Sequence, residues 1–411
     1  MSAVRRRLPL RLAVAIAITA VAAAMAGAAQ SSIDAAAPAA TVRQATERAL
    51  LLLPDVAANQ ALRDQIVAQQ RAVRGPFVGP PVVSGDVELG RGGLAEQEVG
   101  VSAGFRWPGE GRAARLAATR GGAVIDATLD YARLRIAGEV RTAWWALASA
   151  QALIVVERTQ AGIADQEVAS VARLVSAGVQ ARRDLLLAQA ERAAVLARLS
   201  ESELEFISAR AAYEALSGPP PDRFPAEVPA AGVAVEDHPE VRAAVARAAV
   251  AEARATALRY GSRPRIEGRA GVRRQRDEAR DGYDNALRVG VSVPIGRDFS
   301  AVAESAGARS EALRATADAA LVRRRLIAER ASGERRLTVS QRALREAQLR
   351  RNSLAQALAL TERGLREGEV GYIEALRARQ TLASAVRDLA VAEVAASAAI
   401  STFNQAQGVL P

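Results

Sequence analysis

The residue types that most often carry catalysis are scarce in this chain. It contains no cysteine and a single histidine, His238. The lack of cysteine excludes thiol nucleophiles and thiolate metal sites, and one histidine falls short of the three or four ligands of a zinc site. The glycine patterns that bind phosphate or dinucleotides are also missing from the sequence. We therefore predict that the protein is not an enzyme and that it holds no metal or cofactor.

The charge of the chain is high but mixed. All 55 basic residues are arginines, and 45 acidic residues are interspersed among them, which leaves a net charge of +10. A nucleic-acid interface needs a one-sided basic cluster with aromatic residues or a known motif, whereas aromatic residues make up only 3% of this chain. We expect solvated helix faces and no nucleic-acid partner.

The sequence is a tandem duplication with an offset of 190 residues. Val99–Ser102 recurs as Val289–Ser292, and Gly178 recurs as Gly368. Each of these glycines is followed six residues later by an acid and eight residues later by leucine: Asp184 with Leu186, and Glu374 with Leu376. Two copies that keep one offset indicate a structural unit present twice.

The two copies divide the chain into four segments. The chain opens with four arginines, an apolar run over 12–26 and the small residues Ala26-Gly27-Ala28, which is the three-part layout of a secretory signal peptide. We predict a signal peptide at 1–28 and therefore an exported protein. The first repeat is placed at 29–218, a proline-rich linker at 219–235 and the second repeat at 236–411.

Each repeat reads as a helix, two strands, a long helix, a turn and a returning helix. Long stretches without proline predict helices over 111–175 and 301–365, and returning helices over 181–216 and 371–407. Four segments alternate apolar and polar residues with period two, which is typical of strands with two different faces. They are 83–89, 99–106, 265–273 and 287–293.

The alternating segments are long enough for tilted strands that cross a bilayer, although a soluble hairpin would alternate as well. Four strands cannot close a membrane barrel, because the smallest barrels have about eight, and an open edge is not permitted in lipid. Closure would then need further copies of the chain. Two chains would supply about eight strands and three about twelve, and the sequence leaves both numbers open.

Taken together, these features resemble the outer membrane efflux protein family, the TolC-like exit ducts of Gram-negative pumps. The resemblance covers the mature chain. It rests on the duplication, on the Gly-Val-Ser strand followed by a long helix rich in arginine and alanine, and on the glycine turn motif. Phe105–Arg112 and Val291–Ile295 are most similar to the heavy-metal, cobalt–zinc–cadmium (CzcC-like) branch.

The resemblance implies a mainly α fold with a small β part. Long antiparallel helices form an α-barrel, and four strands per chain contribute to the 12-stranded outer-membrane β-barrel of a homotrimer. It also implies a location in the outer membrane, with the helical tunnel in the periplasm. The implied partners are a periplasmic adaptor, an inner-membrane pump of the RND type and outer membrane lipid, and the implied cargo is heavy-metal cations.

The resemblance further assigns roles to residues near the two turns. It implies an adaptor-contact tip formed by Gly178, Val179, Leu186, Leu365, Gly368 and Leu376. It implies that Asp184 and Glu374 ring a periplasmic aperture, where carboxylates converging on a threefold axis would repel one another and attract cations. The alternative is a purely structural role, in which the glycines only form turns and the acids are solvated at helix ends.

Other functions remain open at this stage. The same architecture would serve drug efflux or type I protein secretion. From a different class, a soluble exported coiled-coil scaffold with exposed hairpins would share the helices and the alternating segments.

Overall fold

The computed structural model of the protein describes residues 39–52, 55–89, 95–276, 282–296 and 298–411. The predicted signal peptide lies outside these residues. The first repeat contains α1 (Val42–Leu51), α2 (Asp55–Ala72), β1 (Val82–Leu89), β2 (Ala95–Gly104), α3 (Glu110–Ser176) and α4 (Arg182–Ser217). The second contains α5 (Pro239–Gly261), β3 (Glu267–Arg276), β4 (Asp284–Ser292), α6 (Phe299–Glu367) and α7 (Tyr372–Ala406).

The predicted element order is therefore confirmed in both repeats. The long helices α3 and α6 contain 67 and 69 residues, and the returning helices α4 and α7 contain 36 and 35. The leading segment of the first repeat, predicted as one helix, forms α1 and α2 on either side of residues 53–54, which lie outside the described part. No described helix combines the length and the apolar character that a membrane crossing requires.

Local sequence signals explain where several helices begin and end. The Thr41 side chain accepts a hydrogen bond from the Gln44 backbone N–H and caps α1. His238 does the same for α5, where it accepts from Glu240 N, and Pro239 occupies the first turn. This cap is the role of the lone histidine of the sequence. At the end of α4, Gly218 adopts φ +80°, a conformation that favours glycine.

The chain divides into two compact units that cut across the repeats. One unit contains α1, Arg133–Val233 and Ala328–Pro411, and the other contains residues 55–132 and Ala234–Ile327. Each unit thus takes elements from both repeats, and α3 and α6 contribute to both. The repeat boundaries at 218 and 236 stay a prediction. The proline-rich segment between α4 and α5 forms neither helix nor strand.

The core of the first unit contains a cluster of aromatic residues. Trp144 is fully buried, with its ring centroid 6.0 Å from that of Tyr213 and 5.2 Å from that of Phe224. The neighbouring Trp145 donates from Nε1 to Ser401 Oγ at 2.7 Å, which joins α3 to α7. Burying an aromatic ring contributes more than burying any other side chain, so this cluster anchors the helix packing.

The second unit packs its helices through alanine and holds the whole sheet. Buried alanines of α5 and α6 meet in two clusters: Ala251, Ala255, Ala308 and Ala312, and Ala244, Ala248 and Ala319. Such small side chains let helix backbones approach closely. The strands are antiparallel in the order β1-β2-β3-β4, so the hairpins of the two repeats are joined through β2 and β3.

The proline-rich segment is clamped onto the helices of the first unit by a buried ion pair. Arg141 on α3 donates to both carboxylate oxygens of Glu227, at 3.0 and 2.7 Å. It also donates to Gln405 Oε1 at 2.6 Å and to the Val409 carbonyl at 3.1 Å. Burial raises the pKa of Glu227, but hydrogen bonds from Arg141, Ser401 and Asn404 and the Arg141 charge outweigh it, so the net pKa is lowered.

We expect this clamp to make stability sensitive to acid. A carboxyl group with a lowered folded-state pKa stabilises the fold above its unfolded pKa of about 4.3 and loses that contribution as the pH falls through the folded value. Glu227→Gln should destabilise the protein at pH 7, and urea unfolding should show the difference from wild type shrinking below about pH 4. Glu214→Gln, in an exposed pair with Arg210, is the control and should change little. A difference that grows as the pH falls would contradict the assignment.

Candidate functional site

The two glycine turns at the ends of α3 and α6 have the same backbone geometry. Gly178 adopts φ +73° and Gly368 adopts φ +80°. The amide of Gly178 donates to the Val175 carbonyl at 3.0 Å, and that of Gly368 donates to Leu365 at 3.3 Å. A left-handed residue just past a helix end lets the following amides bond back to the last carbonyls. The duplicated motif thus encodes a duplicated helix stop.

The two acids that follow these turns lie in different environments. Asp184 and Glu374 both stand in the first turn of a returning helix, with amides bonded to Ala181 and Gly371 respectively. Glu374 is exposed, whereas Asp184 is buried, with Arg183 Nε 3.5 Å from its carboxylate. The predicted equivalence of the two acids therefore holds for position and not for exposure. Only Glu374 presents its carboxylate to solvent in a single chain.

A tyrosine of the second repeat lies in the surroundings of Asp184. Tyr372 and Leu376 of α7 pack in a buried cluster with Val171 of α3 and Ala188 of α4. Burial raises the pKa of Tyr372, the Glu167 and Asp184 carboxylates raise it further, and Arg379 opposes them. Tyr372 thus lies within electrostatic reach of the buried Asp184, while Glu374 stays exposed.

The predicted tip residues separate into exposed and buried groups. Val179 and Leu186 are 70% and 57% exposed, and both glycines of the turns are exposed. Leu365 is partly buried, and Leu376 is only 9% exposed because it belongs to the cluster around Tyr372. Leu376 thus serves helix packing in a single chain and is not an accessible tip residue.

Sequence reasoning missed a charged network that joins the helices behind the tip. Arg379 of α7 contacts both carboxylate oxygens of Glu167 on α3 at 2.5 Å, and its Nε lies 3.2 Å from Glu362 on α6. Farther along, Glu157 is buried between Arg198 of α4, at 3.7 Å, and Arg387 of α7, at 3.4 Å. No local spacing links these residues, so no sequence signal pointed to them.

The sheet of the second unit has one apolar and one charged face. The registers align Val83 with Val101, Ala270 and Val289 across all four strands. The row of Val87 on the same face is polar at its other three positions, and most residues of the opposite face are polar. The apolar side chains are largely exposed; they are Val83, Val87, Leu89, Val99, Val101, Val272, Leu287, Val289 and Val291. The opposite face carries Asp86, Glu88, Glu96, Glu98, Arg269, Arg273 and Arg288.

Aromatic and arginine side chains flank the sheet at both ends. Phe105 follows β2 and stacks with Phe77 at a centroid distance of 5.4 Å. At the other end, Tyr283 precedes β4 and lies under the guanidinium groups of Arg274, at 4.2 Å, and Arg276, at 5.1 Å.

Neither a metal site nor a catalytic constellation emerges in the part of the chain that the structure describes. No group of three or more histidine or acidic side chains there has the geometry to hold a metal ion. The lone His238 is buried as a helix cap.

The turn geometry predicts opposite effects for two glycine substitutions. Gly178→Ala should destabilise the protein by about 1 kcal/mol, because alanine is strained at positive φ. Gly162→Ala, in the middle of α3 where nothing lies within 4 Å of an added methyl group, should stabilise it by up to about 1 kcal/mol. Thermal unfolding followed by circular dichroism measures both. Equal shifts for the two variants would contradict the role of Gly178 as a helix stop.

Comparison with known proteins places these features in a wider context. Residues 231–409, which cover the second repeat, match the family model described as outer membrane efflux protein. No curated protein matches the chain significantly.

Solved structures extend the likeness to nearly the whole chain. VceC, an outer membrane protein of Vibrio cholerae, superposes with a TM-score of 0.73 at 18% identity over 90% of this chain and 96% of its own. A membrane protein from Pseudomonas aeruginosa gives 0.74 at 18% identity, covering 90% and 91%. MtrE, an outer membrane channel of Neisseria gonorrhoeae, gives 0.70 at 19%, covering 90% and 89%. The chain is thus similar to outer membrane efflux proteins in sequence over its second repeat and shares the TolC-like channel fold.

Proposed function

We propose that the protein is the outer membrane channel of a tripartite efflux system, a passive exit duct for cargo delivered by an inner-membrane pump and a periplasmic adaptor. The observation that carries this proposal is the two-faced sheet. Its exposed valines and leucines share one face, which becomes polar toward one end at Gln97, Arg274 and Asn285, and most of its acidic residues lie on the other face. A face of this kind exposed to water would be an aggregation site, whereas lipid would solvate it.

The edges of the sheet support self-association in the membrane. β1 and β4 are exposed along their whole lengths and lie at the two ends of the strand order. Their free backbone groups would cost several kcal/mol each in lipid, so the sheet must close on further copies. Three copies give the 12-stranded closed sheet of a homotrimer, with the polar face inward and the long helices extending into the periplasm.

The turns at Gly178 and Gly368 are the proposed contact with the adaptor. Val179 and Leu186 supply exposed apolar side chains beside the first turn. The exposed carboxylate of Glu374 is the proposed lining of the aperture, without the participation of the buried Asp184. The sequence similarity to the heavy-metal branch supports metal cations as cargo, while drugs and secreted proteins are the alternatives to be tested.

The second candidate, a soluble exported scaffold, shares the helices but not the need for lipid. The exposed apolar face argues against it, because monomeric soluble proteins rarely leave a continuous apolar patch of this kind uncovered.

Cell fractionation separates the two candidates. A channel should sediment with the outer membrane, need detergent for extraction and migrate as an oligomer on a denaturing gel before heating. A scaffold would appear in the fluid released by osmotic shock. Recovery of the mature chain as a soluble monomer from that fluid would refute the channel.

The aperture proposal predicts an effect on conductance. Glu374→Ala should raise the single-channel conductance in planar bilayers and reduce the preference for cations. The reason is that it removes one negative charge per chain from the proposed aperture, the narrowest part of the channel. Glu393→Ala removes the same charge from an exposed position of the same helix and serves as the control. Unchanged conductance and ion preference in the Glu374 variant would remove this residue from the aperture.

A further inference from the structure

The two hairpins of the sheet carry opposite charges at equivalent positions. The repeat offset makes Glu98 of β2 the counterpart of Arg288 of β4. In the first hairpin Val82 pairs with Ser102, and in the second Glu267 pairs with Ser292, the counterpart of Ser102. Val82 of β1 and Glu267 of β3 are therefore equivalent. The same number of residues farther along each strand, Glu88 is the counterpart of Arg273. At these two positions an acid of the first hairpin is replaced by an arginine in the second, whereas Glu96 and Asp86 have Ala286 and Gly271 as counterparts.

These charges already hold the two repeats together inside one chain. At the β2–β3 seam, Glu98 lies directly opposite Arg273. Arg273 Nη1 is 3.4 Å from Glu96 Oε1, and Arg288 Nη1 is 2.6 Å from Glu98 Oε2. Oppositely charged cross-strand pairs stabilise a sheet, and like charges placed there destabilise it. The seam thus matches an acidic strand to a basic one.

The edge strands β4 and β1 are equivalent to β2 and β3, and the charges at the two equivalent positions have the opposite sign. β4 is the counterpart of β2, and β1 is the counterpart of β3, so β4 can pair with β1 of a second copy in the antiparallel sense. The positions equivalent to Glu98 and Arg273 are Arg288 in β4 and Glu88 in β1. If β4 pairs with β1 of the second copy as β2 pairs with β3, Arg288 therefore lies opposite Glu88 of that copy. A shift of one residue would turn apolar side chains to the charged face, which disfavours odd shifts.

On the basis of the proposed oligomeric channel, we infer that β4 of one copy pairs with β1 of the next in the register that sets Arg288 opposite the partner's Glu88. The same register sets Val289 opposite the partner's Val87 on the apolar face. A shift by two residues, which sets Arg288 opposite Asp86 and Leu287 opposite Val87, is the competing register. The partner is a second copy of this chain, and the edge charges select how it docks.

Engineered disulfides test the register, because the natural chain contains no cysteine. Val87 and Val289 are 67% and 76% exposed and lie outside the ion pair. Val87→Cys combined with Val289→Cys should give disulfide-linked dimers and trimers under oxidising conditions. Within one chain the two edges are three strand spacings apart, about 14 Å, and disulfides need Cα atoms within about 7 Å. Any link must therefore join two copies.

The pair Val87→Cys with Leu287→Cys is the matched control, since it links only in the competing register. Variants that carry only one of the cysteines are the folding controls. Each should still migrate as an oligomer on an unheated gel, which shows that the substitution leaves the fold intact. Linking of the control pair, or an intact oligomer in which neither pair links, overturns the inferred register and leaves the channel proposal standing. Loss of the oligomer and of membrane partitioning in the unmodified protein would instead refute the channel proposal.

A charge variant tests the ion pair itself. In the variant that carries cysteine at positions 87 and 289, Glu88→Gln should lower the cross-linked fraction by about two- to fivefold. This is the change expected from the loss of one oppositely charged cross-strand pair. Glu96→Gln removes the same charge from the same face of an internal strand and should leave that fraction unchanged. An equal fall in both variants, or no fall in the Glu88 variant, would remove Arg288 and Glu88 from the contact.

Discussion

The unpaired backbone groups on the outer edges of β1 and β4 set the main constraint on this molecule. In the proposed channel the apolar side of the sheet lies in lipid, and lipid offers no hydrogen-bond partner to the edge strands. A single chain cannot satisfy both demands, since both ends of its strand order are open. In the proposed channel, self-association would resolve this conflict by pairing the two open edges with further copies of the chain.

The helical part solves a different problem, which is to pack long helices with few aromatic residues. Trp144 and Tyr213 anchor one region, and alanine allows close approach elsewhere. Ion pairs between charged side chains also join the helices. Glu157 of α3 is buried between an arginine of α4 and an arginine of α7. Removing one partner of a buried pair leaves an uncompensated charge and costs about 3–5 kcal/mol. Such pairs disfavour a shift of one helix along another, which helps to set the register of antiparallel helices whose alanine faces specify it poorly.

The site was only partly predictable from the sequence. Gly178 and Gly368 were predictable as turns, because a helix that reverses needs a residue tolerant of positive φ. Asp184 and Glu374 have the same spacing from those turns, so the sequence treats them alike. Their exposure differs in the folded chain, where Asp184 is buried and lies within electrostatic reach of Tyr372 of the second repeat, whereas Glu374 is exposed. Arg379 and Glu167 are 212 residues apart in sequence, and no periodicity connects them.

Sequence alone determined the features that depend on local periodicity: the two-fold repeat, the alternating strands, the helix lengths and the glycine stops. Each of these follows from how neighbouring residues share a face or a backbone conformation. The tertiary structure decided which side chains of those elements meet. It buried Leu376 and Asp184, clamped Glu227 of the proline-rich segment under Arg141, and matched Glu98 to Arg273. Those outcomes depend on contacts between distant segments, and burial and charge pairing are fixed only when the segments pack.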